Sequence, residues 1–319
     1  MRRSLLIATG LIAIVASACS ASGAASPSAT QSAAASSAPS AASTAPSVAP
    51  SPSADACAAA NLKLVTAGTL TIGTDNPAYP PYFAVNTDGT KTAPWELGDP
   101  TNGQGFESAV AYAIATKLGF AKDHVAWTYI PFDNSYKPGP KAFDFDINQV
   151  SYSAARAQSV DMSDGYYFVN QAVVSLASSK LANVTTVSDL AAYRFGAQVG
   201  TTSYSTITDV IKPTTAPRVY DTNDAAISAL KAKQIDGIVV DLPTAFYMAG
   251  AQLDNGKVVG QFKLVSGADV EHFSLVLAKG SSLTACVNGA IAALKADGTL
   301  ASLTQTWLSD KAAAPVFTP

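Results

Sequence analysis

FDFDINQVSYSAARAQSVDMSDGYYFVNQA, residues Phe143 to Ala172, decides how the rest of this chain is read. Phe143, Phe145 and Ile147 alternate with polar residues, the two-residue period of a half-buried strand. The strand runs into the small polar cluster Asn148, Gln149 and Ser151, and a single arginine, Arg156, follows five residues after Ser151. A strand end fixes side chains rigidly, and a guanidinium fork matches both oxygens of a carboxylate. The pattern is suited to holding a carboxylate, although spacing alone favours a surface loop with a solvated arginine.

The same stretch resembles the signature region of the family 3 extracellular solute-binding proteins, the polar amino-acid receptors of ABC importers. Phe143-Asp144 takes the place of that family's Val-Asp. Ser151 and Ser153 match its two threonines, Arg156 its arginine, and Val160-Asp161-Met162-Ser163 its Val-Asp-Phe-Ser. Two positions depart: Gln149 replaces the usual glycine, and Ala154-Ala155 replaces Pro-Glu. Gln149 thus puts a side chain where the family offers backbone. The resemblance spans about Leu70 to about Leu308 and implies a two-lobe α/β fold of the periplasmic-binding-protein type II class, hinged by two crossover segments. It implies an extracytoplasmic receptor that closes on a free amino acid, polar or basic, and docks on a membrane permease.

The ends agree with export. Arg2 and Arg3 precede an apolar core from Leu5 to Val15, too short to span a bilayer comfortably, so residues 1–18 read as a signal peptide. Ala16-Ser17-Ala18-Cys19 resembles a lipobox whose cysteine anchors the mature protein to the outer face of the cell membrane. Ala16 stands where the pattern prefers leucine, and cleavage at an ordinary A-x-A-like site is the alternative. Residues 19–56 are mostly Ser, Ala, Pro and Thr, which bury too little apolar surface to offset ordering entropy. They are expected to form a flexible tether with a reach of about 35 Å.

The net charge of −3, with 13% charged residues, argues against an electrostatic nucleic-acid surface. His124 and His272 lie far apart and no Cys-x-x-Cys spacing exists, so neither a metal nor another cofactor is expected. With Cys19 lipidated, Cys57 and Cys286 remain, and two cysteines outside the cytoplasm are expected to pair. The protein is expected to be a monomer.

From residue 57 onwards strand and helix patterns alternate, which favours α/β layers with a mostly parallel sheet. Strands are expected at Leu70–Asp75, Val125–Phe132, Phe143–Ser151, Phe195–Val199, Gly237–Asp241 and Phe273–Ala278. Helices are expected at Phe106–Leu118, after Gly200, at Asn223–Gln234, and at about 284–296 and 299–309. The resemblance places crossovers near 170–176 and 266–274. Lobe one would then be 57–172 plus 273–319, and lobe two 173–272.

For the site, a buried zwitterion requires both an anion and a cation partner. The resemblance assigns the ligand carboxylate to Arg156, Ser151 and the start of the helix after Gly200, with Thr201 and Thr202 adding hydroxyls. It assigns the ammonium to Asp241, which ends the apolar strand Ile238-Val239-Val240 and for which helix capping is the alternative. Tyr79, in Asp75-Asn76-Pro77-Ala78-Tyr79-Pro80-Pro81-Tyr82, and Phe132 would wall the ligand. Tyr82 is expected in the core. Asp75, Asn148 and Gln149 would reach the ligand side chain.

Two other functions share these features. Periplasmic cyclohexadienyl dehydratases share the fold family and require a carboxylic acid poised as proton donor. Glu107 and Glu271 are the candidates, although Glu107 reads as solvated on an amphipathic helix. A ligand sensor coupled to a signalling partner is the other. The absence of a Ser/His/Asp pattern favours binding over catalysis.

Overall fold

The computed structural model describes residues 54–263, 270–308 and 314–319. The expected signal peptide, Cys19 and nearly all of the tether lie outside the described residues. In chain order the first elements are β1 (Leu70–Thr74), α1 (Phe106–Lys117), β2 (Val125–Tyr129), α2 (Phe132–Ser135), β3 (Phe145–Asp146), α3 (Ala154–Ser159) and β4 (Asp161–Met162). Then come β5 (Tyr167–Phe168), β6 (Gln171–Leu176), α4 (Val187–Leu190), β7 (Phe195–Gln198), α5 (Thr202–Ser205), β8 (Arg218–Tyr220) and α6 (Asn223–Lys231). The chain ends with β9 (Gly237–Asp241), α7 (Leu242–Tyr247), β10 (Gly256–Gln261), β11 (His272–Phe273), β12 (Val276–Leu277), α8 (Leu283–Ala296) and α9 (Thr299–Leu308).

Two five-stranded sheets result, β2-β1-β3-β12-β4 in lobe one and β10-β6-β9-β7-β8 in lobe two. They are mixed, where a mostly parallel sheet was expected. Strands built within a lobe run parallel, as β1 with β2 and β3, and β7 with β8 and β9. Those next to a crossing, β12 and β6, pair antiparallel because the chain enters each sheet from the hinge side. The crossover itself is the antiparallel ribbon of β5 with β11, His272 opposite Phe168. β6 already belongs to the second sheet, so the first crossing falls earlier than 170–176.

The cores follow from the sequence pattern. Leu70, Ile72, Phe106, Ile114, Phe145, Phe273, Val287 and Ile291 pack together in lobe one. In lobe two both faces of the sheet are covered: Val174, Ile227, Ile238 and Val240 on one, Val173, Leu190, Phe195 and Val239 on the other. That explains the unbroken apolar run of β9. The signature residues serve this framework. Asp144 accepts the N–H groups of Val65 (2.8 Å) and Thr71 (2.7 Å), and the Ser163 hydroxyl accepts the Leu275 N–H (2.8 Å). Cys57 and Cys286 form a disulfide with Cα atoms 5.4 Å apart, tying the first described turn to α8.

The C-terminal assignment requires a correction. α8 and α9 do pack on α1 in lobe one, but residues 314–319 lie on lobe two. Gln261 donates its N–H to the Pro315 carbonyl (2.8 Å), and Phe317 returns its own to Gln261 (3.0 Å). The Phe317 ring is buried beside Gly260, where a Cβ would come within 2.8 Å of it. A ring slot built on a missing side chain leaves no trace in the periodicity of the tail. Phe317→Ala is expected to lower stability by about 3 kcal/mol, read by urea denaturation.

A charged cleft between the two lobes

The parallel strands of both lobes end at the same place. Asp75 follows β1, Asn148 follows β3, Gly200 and Thr201 follow β7, and Asp241 closes β9. In open α/β sheets the carboxyl ends of strands form the crevice in which ligands bind. All ten residues expected from the sequence line one cavity there: Asp75, Tyr79, Phe132, Asn148, Gln149, Ser151, Arg156, Thr201, Thr202 and Asp241. An adjoining recess of about 310 Å³ shares Asp75, Tyr79 and Phe132 with it and adds Asp133 and Asp221.

Arg156 sits in the first turn of α3, whose N-cap is Ser153; the Ser153 hydroxyl accepts the Arg156 N–H at 3.2 Å. The side chain is 8% exposed. It donates from Nη1 to the Ser151 carbonyl and from Nη2 to the Gly200 carbonyl of lobe two (2.7 Å). Its guanidinium lies 4.5 Å from the Tyr136 ring centroid and 5.6 Å from that of Phe132. Burial pulls its pKa down, and Tyr136 and the carboxylates of Asp241 and Glu271 oppose that shift. Guanidinium nevertheless remains charged.

Asp241 makes no capping bond to α7, so its capping alternative does not hold. Its Oδ1 accepts from Gln171 Nε2 at 2.7 Å. Burial, reinforced by Glu271, holds its carboxyl well above the usual range. Asp75 is likewise pushed up by burial, to about 6, against the N–H of Asn76. Tyr79 reaches across the cleft and donates to Asp224 Oδ2 at 2.7 Å. Tyr82 is in the core as expected, 1% exposed, with its hydroxyl 3.3 Å from that of Thr244 in lobe two. Thr201 differs from expectation: its hydroxyl caps α5 by accepting the Tyr204 N–H and donates to the Gln198 carbonyl, so it has no proton left for the cleft.

Glu107 is corrected outright. It is fully buried rather than solvated, with Oε1 accepting from the Gln149 N–H (2.7 Å) and the Tyr166 hydroxyl, and Oε2 from Gln149 Nε2. Gln149 has φ +50°, the left-handed conformation that its glycine counterpart adopts freely, and the Glu107 carboxyl holds it there. This turn also ends β3 after two ladder residues, well short of Ser151. Burial pushes the Glu107 carboxyl from 4.5 to about 7. Between those values the folded state binds a proton that the unfolded chain has released. Its contribution to stability is therefore expected to fall as pH rises from 4.5 to 7, by about 3 kcal/mol, and to level above that. Glu107→Gln should flatten this slope in denaturation curves taken at successive pH values.

Sequence reasoning missed Tyr136 and Gln171 and saw Glu271 only as a candidate acid. Tyr136 stands four residues after Phe132, a helical spacing that could have suggested a second ring on the same face. Nothing local marks Gln171 or Glu271. Among the described residues no group of three or more His, Cys, Asp or Glu is arranged to hold a metal.

Residues 70–310 match the family model of the bacterial extracellular solute-binding proteins, family 3. The chain is 27% identical over 257 residues to the L-cystine-binding protein TcyJ of Escherichia coli (strain K12), covering 77% of this chain and 84% of that one. Among solved structures it resembles an ancestral arginine-binding protein bound to glutamine (27% identity, TM-score 0.58, 76% of this chain and 98% of that chain). The ancestral arginine-binding protein bound to arginine is similar to the same degree (26%, TM-score 0.58, 75% and 98%). With the type II fold and the paired charges of the cleft, these matches show that the chain belongs to the family 3 extracellular solute-binding proteins, amino-acid-binding receptors of ABC importers and not enzymes.

Proposed function

We propose that this chain captures a free amino acid with a polar or basic side chain between its lobes and delivers it to an ABC permease. One observation carries the reading: among the described residues the cavity is lined by one guanidinium, Arg156, and two carboxyl groups, Asp75 and Asp241. A zwitterion uses Arg156 for its carboxylate and Asp241 for its ammonium, because neither charge is stable alone away from water. Asp75 is then left for the ligand side chain, at the mouth of the recess that adds Asp133 and Asp221. Similar proteins named for arginine and L-cystine support a ligand with a second polar end.

Each lobe contributes part of the charge, so the ligand favours the closed form by contacts that exist only there. Cys19 is proposed to carry a lipid that holds the receptor at the membrane, with residues 19–56 as its tether. Cys19→Ala should release the protein from the membrane fraction. A thermal-shift panel of the twenty amino acids and L-cystine tests the ligand reading, since binding raises the melting temperature by mass action. Basic or polar members giving the largest shifts supports it; shifts confined to aliphatic or acidic members defeats it.

The dehydratase reading finds little support. Glu107, the carboxyl held near neutrality, does not line the cavity, and both its oxygens are engaged.

A further inference from the structure

We propose that Glu271 is a positioning residue that turns the hydroxyls of Ser151 and Thr202 into acceptors, so that with Asp241 they cradle a ligand ammonium instead of its carboxylate. This rests on the reading that the ligand is a free amino acid, and it reverses the role expected for the two hydroxyls. Glu271 is half-buried and lies on the second crossing, immediately before β11. Its Oε1 accepts from Ser151 Oγ of lobe one at 2.9 Å and from Thr202 Oγ1 of lobe two at 2.5 Å. Gln171 Nε2 donates to the same oxygen at 3.0 Å.

The direction of these bonds follows from what each group can do. Gln171 is fixed, because its Oε1 accepts from Ser203 Oγ at 2.7 Å and its Nε2 also serves Asp241. A carboxylate only accepts, and a hydroxyl owns one proton and two lone pairs. With that proton spent on Glu271, Ser151 and Thr202 offer lone pairs to the cavity that both line. Together with Asp241 they give three acceptors, one for each N–H of an ammonium. The ligand carboxylate keeps Arg156, which faces the cavity over the ring of Tyr136. Glu271 draws a hydroxyl donor from each lobe, Ser151 from lobe one and Thr202 from lobe two, so the arrangement is complete only when the lobes are together.

The test compares matched analogues on the full chain. L-arginine is set against δ-guanidinovaleric acid, which lacks the ammonium, and agmatine, which lacks the carboxylate. L-cystine is set against dithiodipropionic acid and cystamine in the same way. In the unaltered protein, losing the ammonium should weaken binding by about 100-fold or more, as expected for several hydrogen bonds to a charge. In Glu271→Ala the hydroxyl protons are freed, and that penalty should shrink to less than about tenfold while the carboxylate penalty is unchanged. Glu271→Gln retains an acceptor oxygen and should restore most of the ammonium penalty. Glu271→Met keeps the length without a comparable acceptor, and replaces the alanine variant if that one melts early.

Equal weakening of parent and analogues in the alanine or methionine variant would mean a merely structural role and overturn the inference. An unchanged ammonium penalty, or a loss of the carboxylate penalty, overturns it as well. In each of these cases the unaltered protein still binds L-arginine or L-cystine, and the proposed function stands. If it binds neither, the same comparison is made on the basic or polar amino acid with the largest thermal shift; shifts confined to aliphatic or acidic members defeat both the proposed function and this inference.

Discussion

Arg156→Ala is expected to lower the affinity for a free amino acid by about two orders of magnitude in calorimetry. Among the described residues the side chain is the one cation that lines the cavity, and it is almost wholly withdrawn from water. A buried carboxylate that loses a charge-assisted partner gives up about 2–3 kcal/mol and keeps the cost of its own desolvation. Arg156→Lys should recover little of this. An ammonium cannot reproduce the fork that holds the Ser151 and Gly200 carbonyls while lying over the Tyr136 ring. Unchanged affinity in the alanine variant would remove Arg156 from the site.

Cys57→Ser should cost about 4 kcal/mol of stability and lower the melting temperature by roughly 10 °C. The disulfide joins residues 229 apart in sequence, so nearly the whole folded chain lies inside its loop. Cross-linking so long a loop removes much of the unfolded chain's freedom, and native packing then fixes the ends where α8 meets the first turn. Ligand affinity should change little, because both cysteines sit in the lobe-one core rather than at the cleft. A melting temperature within about 2 °C of the unaltered protein, under oxidising conditions, would show that packing alone holds that corner.

The elements that were legible in the sequence are those whose periodicity is set by a local face. β9 was read at its observed bounds, and α1, α8 and α9 to within a residue at each end, because each buries a regular apolar stripe. β3 was overread. The alternation from Phe143 to Ile147 is real, but the left-handed Gln149 turns the chain, and no periodicity announces a positive φ at a residue other than glycine. Glu107 was misread for a related reason. Its place on α1 looks outward by sequence spacing, while the residues that bury it, Gln149 and Tyr166, are 42 and 59 positions away.

The sequence, through the family resemblance carried by the Arg156 motif, named the side chains that line the cleft, and the strand ends hold them there. Only the tertiary structure decided which way the protons point there. Glu271, Gln171 and Glu107 act through hydrogen bonds made across the fold, and such bonds carry direction without leaving any local pattern. The route of the last six residues was decided the same way, by a vacancy over Gly260 that exists only once lobe two has formed.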